Sequence, residues 1–294
     1  MKHSLKITLI LLSIFLIAQF VGLGIVYNYM DKEQSQPGEV VFHESPFERP
    51  EIEQSTSYLP IIIVILIGTL LMLLLIKYKL NMVWKVWFLL AIIITLGVAF
   101  SSFNFLRLNF SPYLIPFILA VGLGLWRIYR PNVYVHNFTE LFVYGGLAAL
   151  FVTIFNVWSI SILLILISVY DVYAVNKSKH MVKMAKAQTE SKMFAGLMLP
   201  YKLPSLKKGP KRKVKTAILG GGDIAFPLLF AATIMKDYYP LWWLSLIIPF
   251  TALAGLSYLM YIGKKDKFYP AMPFIAIGCF LGLGIIYLLT TFIL

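Results

Sequence analysis

The sequence predicts an all-α membrane protein: nine transmembrane helices in a single domain over residues 1–294, with the N-terminus cytoplasmic and the C-terminus outside. Three observations carry that expectation. Of the 294 residues, 60% are hydrophobic and 13% charged, where soluble domains are about 25% charged; mean hydropathy is +0.81. The apolar residues gather into nine runs, each near the length of about 20 residues that a bilayer requires. Threaded through a membrane, those runs put most lysines and arginines on one side.

The first run, about Leu5–Val26, follows Lys2 and Lys6 as in a signal sequence. It lacks a clear small-x-small cleavage site and is read as an uncleaved first span. Residues 27–57 form an acidic extracytoplasmic loop with Asp31, Glu33, Glu39, Glu44, Glu48, Glu51 and Glu53. Spans two to six lie at about Tyr58–Ile76, Val86–Phe105, Phe110–Trp126, Val133–Phe155 and Val157–Val175, and the first turns of the fifth are polar. Residues 176–215 form a basic cytoplasmic linker. Its first part, 176–198, mixes lysines with Met181, Met184, Met193, Phe194 and Leu197, which suits a helix lying on the membrane. Its second part, 200–215, has three prolines and a basic run at Lys207–Lys213; it reads as flexible and facing lipid headgroups, or as a gate between the spans it joins. Spans seven to nine lie at about Thr216–Met235, Leu241–Tyr261 and Phe268–Phe292.

Threading tests this count. The inner segments hold 22 of the 26 basic residues, and the outer ones only Lys32, Arg49, Arg107 and Lys236. A wrong number of spans would scramble the alternation. The net charge of +13 is largely this bias, so no nucleic acid is needed to explain it. Tyr238, Tyr239, Trp242 and Trp243 fall at the outer interface, where aromatic belts form. Cys279 is the single cysteine and has no intramolecular partner for a disulfide.

Two acids sit where lipid would make them costly: Asp171 in the sixth run and Asp223, after Gly220-Gly221-Gly222, in the seventh. The threading puts them roughly 6 and 10 Å below the cytoplasmic boundary, at about 1.5 Å per residue. Consecutive antiparallel spans are usually neighbours, so the two face each other in this reading. Paired carboxylates in low dielectric titrate as a unit, one ionised and one neutral. Such a pair can take a proton from water as it attacks an amide and hydrogen-bond the developing oxyanion, with no metal and no covalent intermediate. Spacing alone leaves this, ion or proton coupling, and separate structural roles all open.

Other signals are weaker. Gly255-Leu256-Ser257 has the spacing of a serine nucleophile motif, but no histidine base follows; small residues packing helices is the better reading. His43-Glu44 lacks the second histidine of a zinc-protease motif. His136 and Glu140, four apart on one face of the fifth span, read as an interfacial hydrogen-bonded pair.

Tyr170-Asp171, Gly220-Gly221-Gly222-Asp223 and Pro270-Ala271-Met272-Pro273 together resemble the YD, GxGD and PAL motifs of the presenilin and signal peptide peptidase family, in that order and in the expected spans. Met272 departs from the family leucine, and Pro273 resembles presenilins. The predicted orientation is also presenilin-like. The short loops resemble a compact prokaryotic, archaeal-type homologue. The resemblance implies a presenilin-like bundle and hydrolysis of peptide bonds within transmembrane helices. Asp171 and Asp223 would be catalytic, and Tyr170, Gly220, Gly221, Gly222, Pro270, Ala271 and Met272 would bind substrate. It implies no metal and no cofactor. Substrates would be single-span membrane proteins or remnant signal peptides, cut in the cell membrane; the sequence requires no obligate partner subunit. The competing expectation is a secondary transporter or cation channel using the same acids for coupling. A helical substrate hides its amides, so it must unwind before attack. The glycines and prolines mark where an extended substrate is expected to lie, hydrogen-bonded like an added strand.

Overall fold

The computed structural model describes residues 5–44, 46–47, 52–106, 111–177, 184, 188, 193–201, 216–264 and 269–293. Among them are nine α-helices: α1 (Leu5–Tyr29), α2 (Tyr58–Lys77), α3 (Asn81–Ser101), α4 (Leu114–Tyr129), α5 (Val133–Phe151), α6 (Val157–Val172), α7 (Gly222–Asp237), α8 (Ile247–Ile262) and α9 (Met272–Ile293). Two antiparallel hairpins accompany them, β1 (Met30–Gln36) with β2 (Glu39–Phe42), and β3 (Gly196–Pro200) with β4 (Thr216–Gly220).

Seven of these helices are long and apolar enough to cross a membrane, counting the 3₁₀ turns that extend α5 and α8 and the π turn that extends α6. The other two, α4 and α7, have 16 residues each. At about 1.5 Å per residue each measures about 24 Å, short of a hydrocarbon core about 30 Å thick. α7 tolerates this because it touches little but protein. Twelve of its residues are buried, from Ile224 to Lys236, and it packs against α1, α5, α6, α8 and α9. α2 is the opposite case. Only Met72 and Leu75 are buried along it; Ile61, Ile62 and Ile65 pack partly against the core, and side chains such as Ile63, Val64, Ile67 and Leu70 are exposed, as lipid contact demands.

α1 runs through the core between α5, α7 and α8. α3 and α4 form a satellite cluster around Ile92, Leu96, Phe100 and Ala120, joined to the core through α5. Gly255 lets α8 and α9 approach closely, since a Cβ there would strike the Phe274 carbonyl. This is the packing role expected for it.

Several expectations need correction. The seventh run is not one helix. Thr216–Gly220 is strand and the helix begins only at Gly222, because three successive glycines give no helical propensity while β4 gains a partner in β3. The eighth starts as a 3₁₀ turn, Trp242–Leu246, and the ninth begins helically at Met272 rather than at 268. Part of the acidic loop has regular structure: α1 extends to Tyr29 and residues 30–42 form the first hairpin. In the basic linker, Met193, Phe194 and Leu197 are buried in the protein rather than laid on a membrane, and residues 196–200 are strand. The basic run at 207–213, Arg107 and most of 178–192 lie outside the described residues.

Candidate active site

α6 and α7 fix the site from their far ends. α6 opens with a reciprocal cap: the Asn156 side chain accepts the Ser159 N–H (2.8 Å), and the Ser159 hydroxyl accepts the Asn156 N–H (3.1 Å). The next N–H, of Val157, donates to Asp237 Oδ2 at 2.8 Å, tying the start of α6 to the end of α7. From that tie, Asp171 and Asp223 are each fourteen residues away along packed, antiparallel helices. At about 1.5 Å per residue each lies about 21 Å from it. The two acids are therefore level, at the same end of the pair.

Their surroundings differ. Asp171, in the last turn of α6, is only 4% exposed. Its Oδ2 accepts the main-chain N–H of Met272 at 3.1 Å, and the Ala271 N–H also faces it. Met272 opens α9, where N–H groups have no helical partner and the helix dipole favours negative charge. Pro270-Ala271-Met272 thus meets Asp171 through its backbone. The Met272 side chain points into the core at 2% exposure, so the position expected to touch substrate packs inward here.

Asp223 is half-buried and is the second residue of α7. Pro227 offers no N–H to the Asp223 carbonyl four residues back. Gln19 of α1, wholly buried, supports this first turn by donating to the Ile224 carbonyl at 2.9 Å. The three glycines are unequal. A Cβ on Gly220 would sit 3.1 Å from Asp223 Oδ2, and one on Gly221 would sit 3.1 Å from the Tyr144 hydroxyl and 3.2 Å from the Ala195 carbonyl. A Cβ on Gly222 would only touch the Phe226 ring at 3.5 Å. Tyr170, beside Asp171, reaches α2 instead, its hydroxyl 3.2 Å from Thr69 Oγ1.

These features carry three short motifs, level acids and a helix N-terminus on one of them, in a chain built mainly of apolar helices. The profile of the family described as signal-peptide peptidase, presenilin aspartyl protease matches residues 12–292.

The chain belongs to that family.

It is accordingly an aspartic peptide hydrolase, an integral membrane protein built of apolar helices. Two solved structures have a similar fold, each a presenilin family intramembrane aspartate protease, one in a C222 crystal form and one in P2. The first is 18% identical with a TM-score of 0.64, covering 96% of this chain and 99% of that one. The second is 19% identical with a TM-score of 0.61, covering 97% and 98%. No curated protein sequence matches the chain.

The family's signature residues do not exhaust the polar chemistry near the site. His136 and Glu140 are not the pair expected from their spacing. Glu140 is 1% exposed and forms an ion pair with Arg127, itself buried at 4%. The His136 Nε2–H donates to the Gly196 carbonyl at 2.7 Å. Arg127 reads in the sequence as an inner-loop cation, and nothing local says it folds back onto α5. Gln19 carried a signal that was available, a lone amide in an apolar span. Asn137 and Tyr144 carried none.

Proposed function

We propose that this protease cuts peptide bonds within the transmembrane helices of single-span membrane proteins or remnant signal peptides, in the cell membrane, with Asp171 and Asp223 as its catalytic pair. The observation that supports this best is their common level, at the end of α6 and the start of α7, both measured from the Val157–Asp237 tie. The ionised member takes a proton from water as that water attacks the scissile carbonyl. The neutral member hydrogen-bonds the oxygen as charge develops on it. Collapse of the tetrahedral intermediate expels the amine, protonated by the acid that took the proton. The orientation that agrees with the charge bias has the N-terminus cytoplasmic and the acids near the cytoplasmic side.

The substrate enters this scheme unwound, because helical amides are otherwise shielded, and an unwound backbone in lipid needs partners. β4 offers them. In an antiparallel pair, successive residues alternate between facing the partner strand and facing away. Ile218 and Gly220 face away from β3, and no partner takes their main-chain groups among the described residues. A substrate strand laid along that edge runs past Gly220 to Asp223.

The test is direct. Purified protein in detergent is given a single-span substrate and the products are read by mass spectrometry, beside Asp171→Asn and Asp223→Asn. Peptide products from the parent and none from either variant is the expected result; cleavage by either variant removes the paired mechanism.

A further inference from the structure

The second hairpin has two edges, and they are treated differently. Along β3 and the two residues before it, alternate residues turn their main-chain groups away from β4, and three of them, Phe194, Gly196 and Met198, meet side chains of α4 and α5. At each of the three a side chain takes the carbonyl. Arg127 donates to the Phe194 carbonyl at 3.3 Å. His136 donates to the Gly196 carbonyl at 2.7 Å. Asn137 does both jobs at Met198, its amide N–H donating to the carbonyl (2.8 Å) and its Oδ1 accepting the N–H (3.0 Å). An asparagine side chain here reproduces the two bonds that a neighbouring strand residue makes.

The donors are themselves held. Arg127 is fixed by Glu140 and by Thr139 Oγ1 at 3.2 Å, with both partners on α5 and fully buried. His136, Asn137 and Glu140 share the first turns of α5, the polar stretch of an otherwise apolar helix. That polarity has no use on a lipid-facing helix. It matches the alternate spacing of the strand it meets, from Phe194 to Met198.

We infer that Arg127, His136 and Asn137 are positioning residues that close the β3 edge of the hairpin and set the height of β4, and with it the register in which a substrate strand is presented to Asp223. The inference rests on the proposed strand addition. The chain of contact is short. The side chains fix β3, and β3 fixes β4 through the paired positions Leu197 with Leu219 and Leu199 with Ala217. The Gly221 N–H then bonds the Ala195 carbonyl at 3.1 Å, at the turn into α7. A slip of one residue anywhere along it moves a different substrate bond to the acids. Closing the β3 edge also leaves one edge for the substrate, the one that leads to Asp223.

The experiment maps product ends. Asn137→Leu keeps size and removes both bonds to Met198. Met198→Pro removes only the N–H that Asn137 accepts, since that group makes no bond to β4. Each variant, with thermal unfolding measured in detergent, is compared with the parent on a single-span substrate. Cleavage spread over neighbouring bonds is expected, with kcat about tenfold lower and KM within about twofold, because register rather than binding is lost. A folded form of either variant that cuts the parent's bonds, in the parent's proportions and at the parent's kcat, overturns the inference. The strand-addition premise is read separately, with the parent enzyme and substrates carrying a single backbone ester in place of an amide near the scissile bond. If every such substrate is cut normally, the premise fails, whatever the variants do.

Discussion

The two acids of the site are held by different means. Asp171 is gripped: buried, and bonded to the first main-chain N–H of α9, a helix packed against its own. Asp223 is hung on a junction where strand turns into helix, half-buried, beside glycines that leave room around it. A carboxylate bonded to helix N–H groups is held in one orientation. A carboxylate on a glycine-lined turn can be approached from one side. The contrast teaches that the site has a fixed wall and an open one, and that the open wall is the one the hairpin leads to.

The largest expected effect removes the contrast altogether. Asp171→Asn and Asp223→Asn should each lower kcat by about 10³-fold or more, measured as product formed in single turnover. A pair that must hold one proton between them also gives a rate that falls on both the acid and the alkaline side of an optimum, whereas a single essential acid gives one limb. The pH–rate profile of the parent separates these.

The open wall is tested next. Gly220→Ala puts a methyl group 3.1 Å from Asp223 Oδ2, and Gly221→Ala puts one against Tyr144 and Ala195. Both should lower kcat about tenfold or more, since displacements below 1 Å at reacting groups are costly. Gly222→Ala meets only an ordinary contact at 3.5 Å and should fold with parental stability. If it is nonetheless inactive, the missing side chain makes room for substrate rather than for the protein, and the open wall is sharpened to one residue.

Support beneath the open wall gives a middling effect. Gln19→Leu deletes the bond to the Ile224 carbonyl and should lower stability by about 1–2 kcal/mol, read as a drop in thermal midpoint. The smallest effect belongs to the fixed wall. Met272→Leu exchanges one buried apolar side chain for another and leaves the N–H to Asp171 in place. It should cost under about 1.5 kcal/mol and change kcat by less than about threefold. A large change in cleavage specificity from this substitution would return that side chain to the substrate.

Much of this was legible in the residues. The nine apolar runs correspond to nine α-helices among the described residues, seven of them long and apolar enough to cross a membrane, because a long apolar segment is a local property that any packing must respect. The order of the stretches that resemble YD, GxGD and PAL pointed to the family, and within it to Asp171 and Asp223 as the proposed pair. The interruptions were less legible. The run from Thr216 reads as continuous apolar span, yet its first five residues are strand, since β3 lies beside them and hydropathy carries no word of a partner. Arg127 and Glu140 look like a loop cation and an interfacial acid, and become a buried pair only when α4 folds against α5.

The sequence by itself determined the membrane class and the family, because composition, periodicity and short motifs are written residue by residue. Only the tertiary structure decided what holds each acid. Asp171 meets a backbone N–H 101 positions away, and the turn that carries Asp223 rests on a glutamine 205 positions from its partner. Those contacts use main-chain groups that every residue possesses, so no residue type announces them. They exist only where packing brings a free N–H or carbonyl to a side chain that can take it.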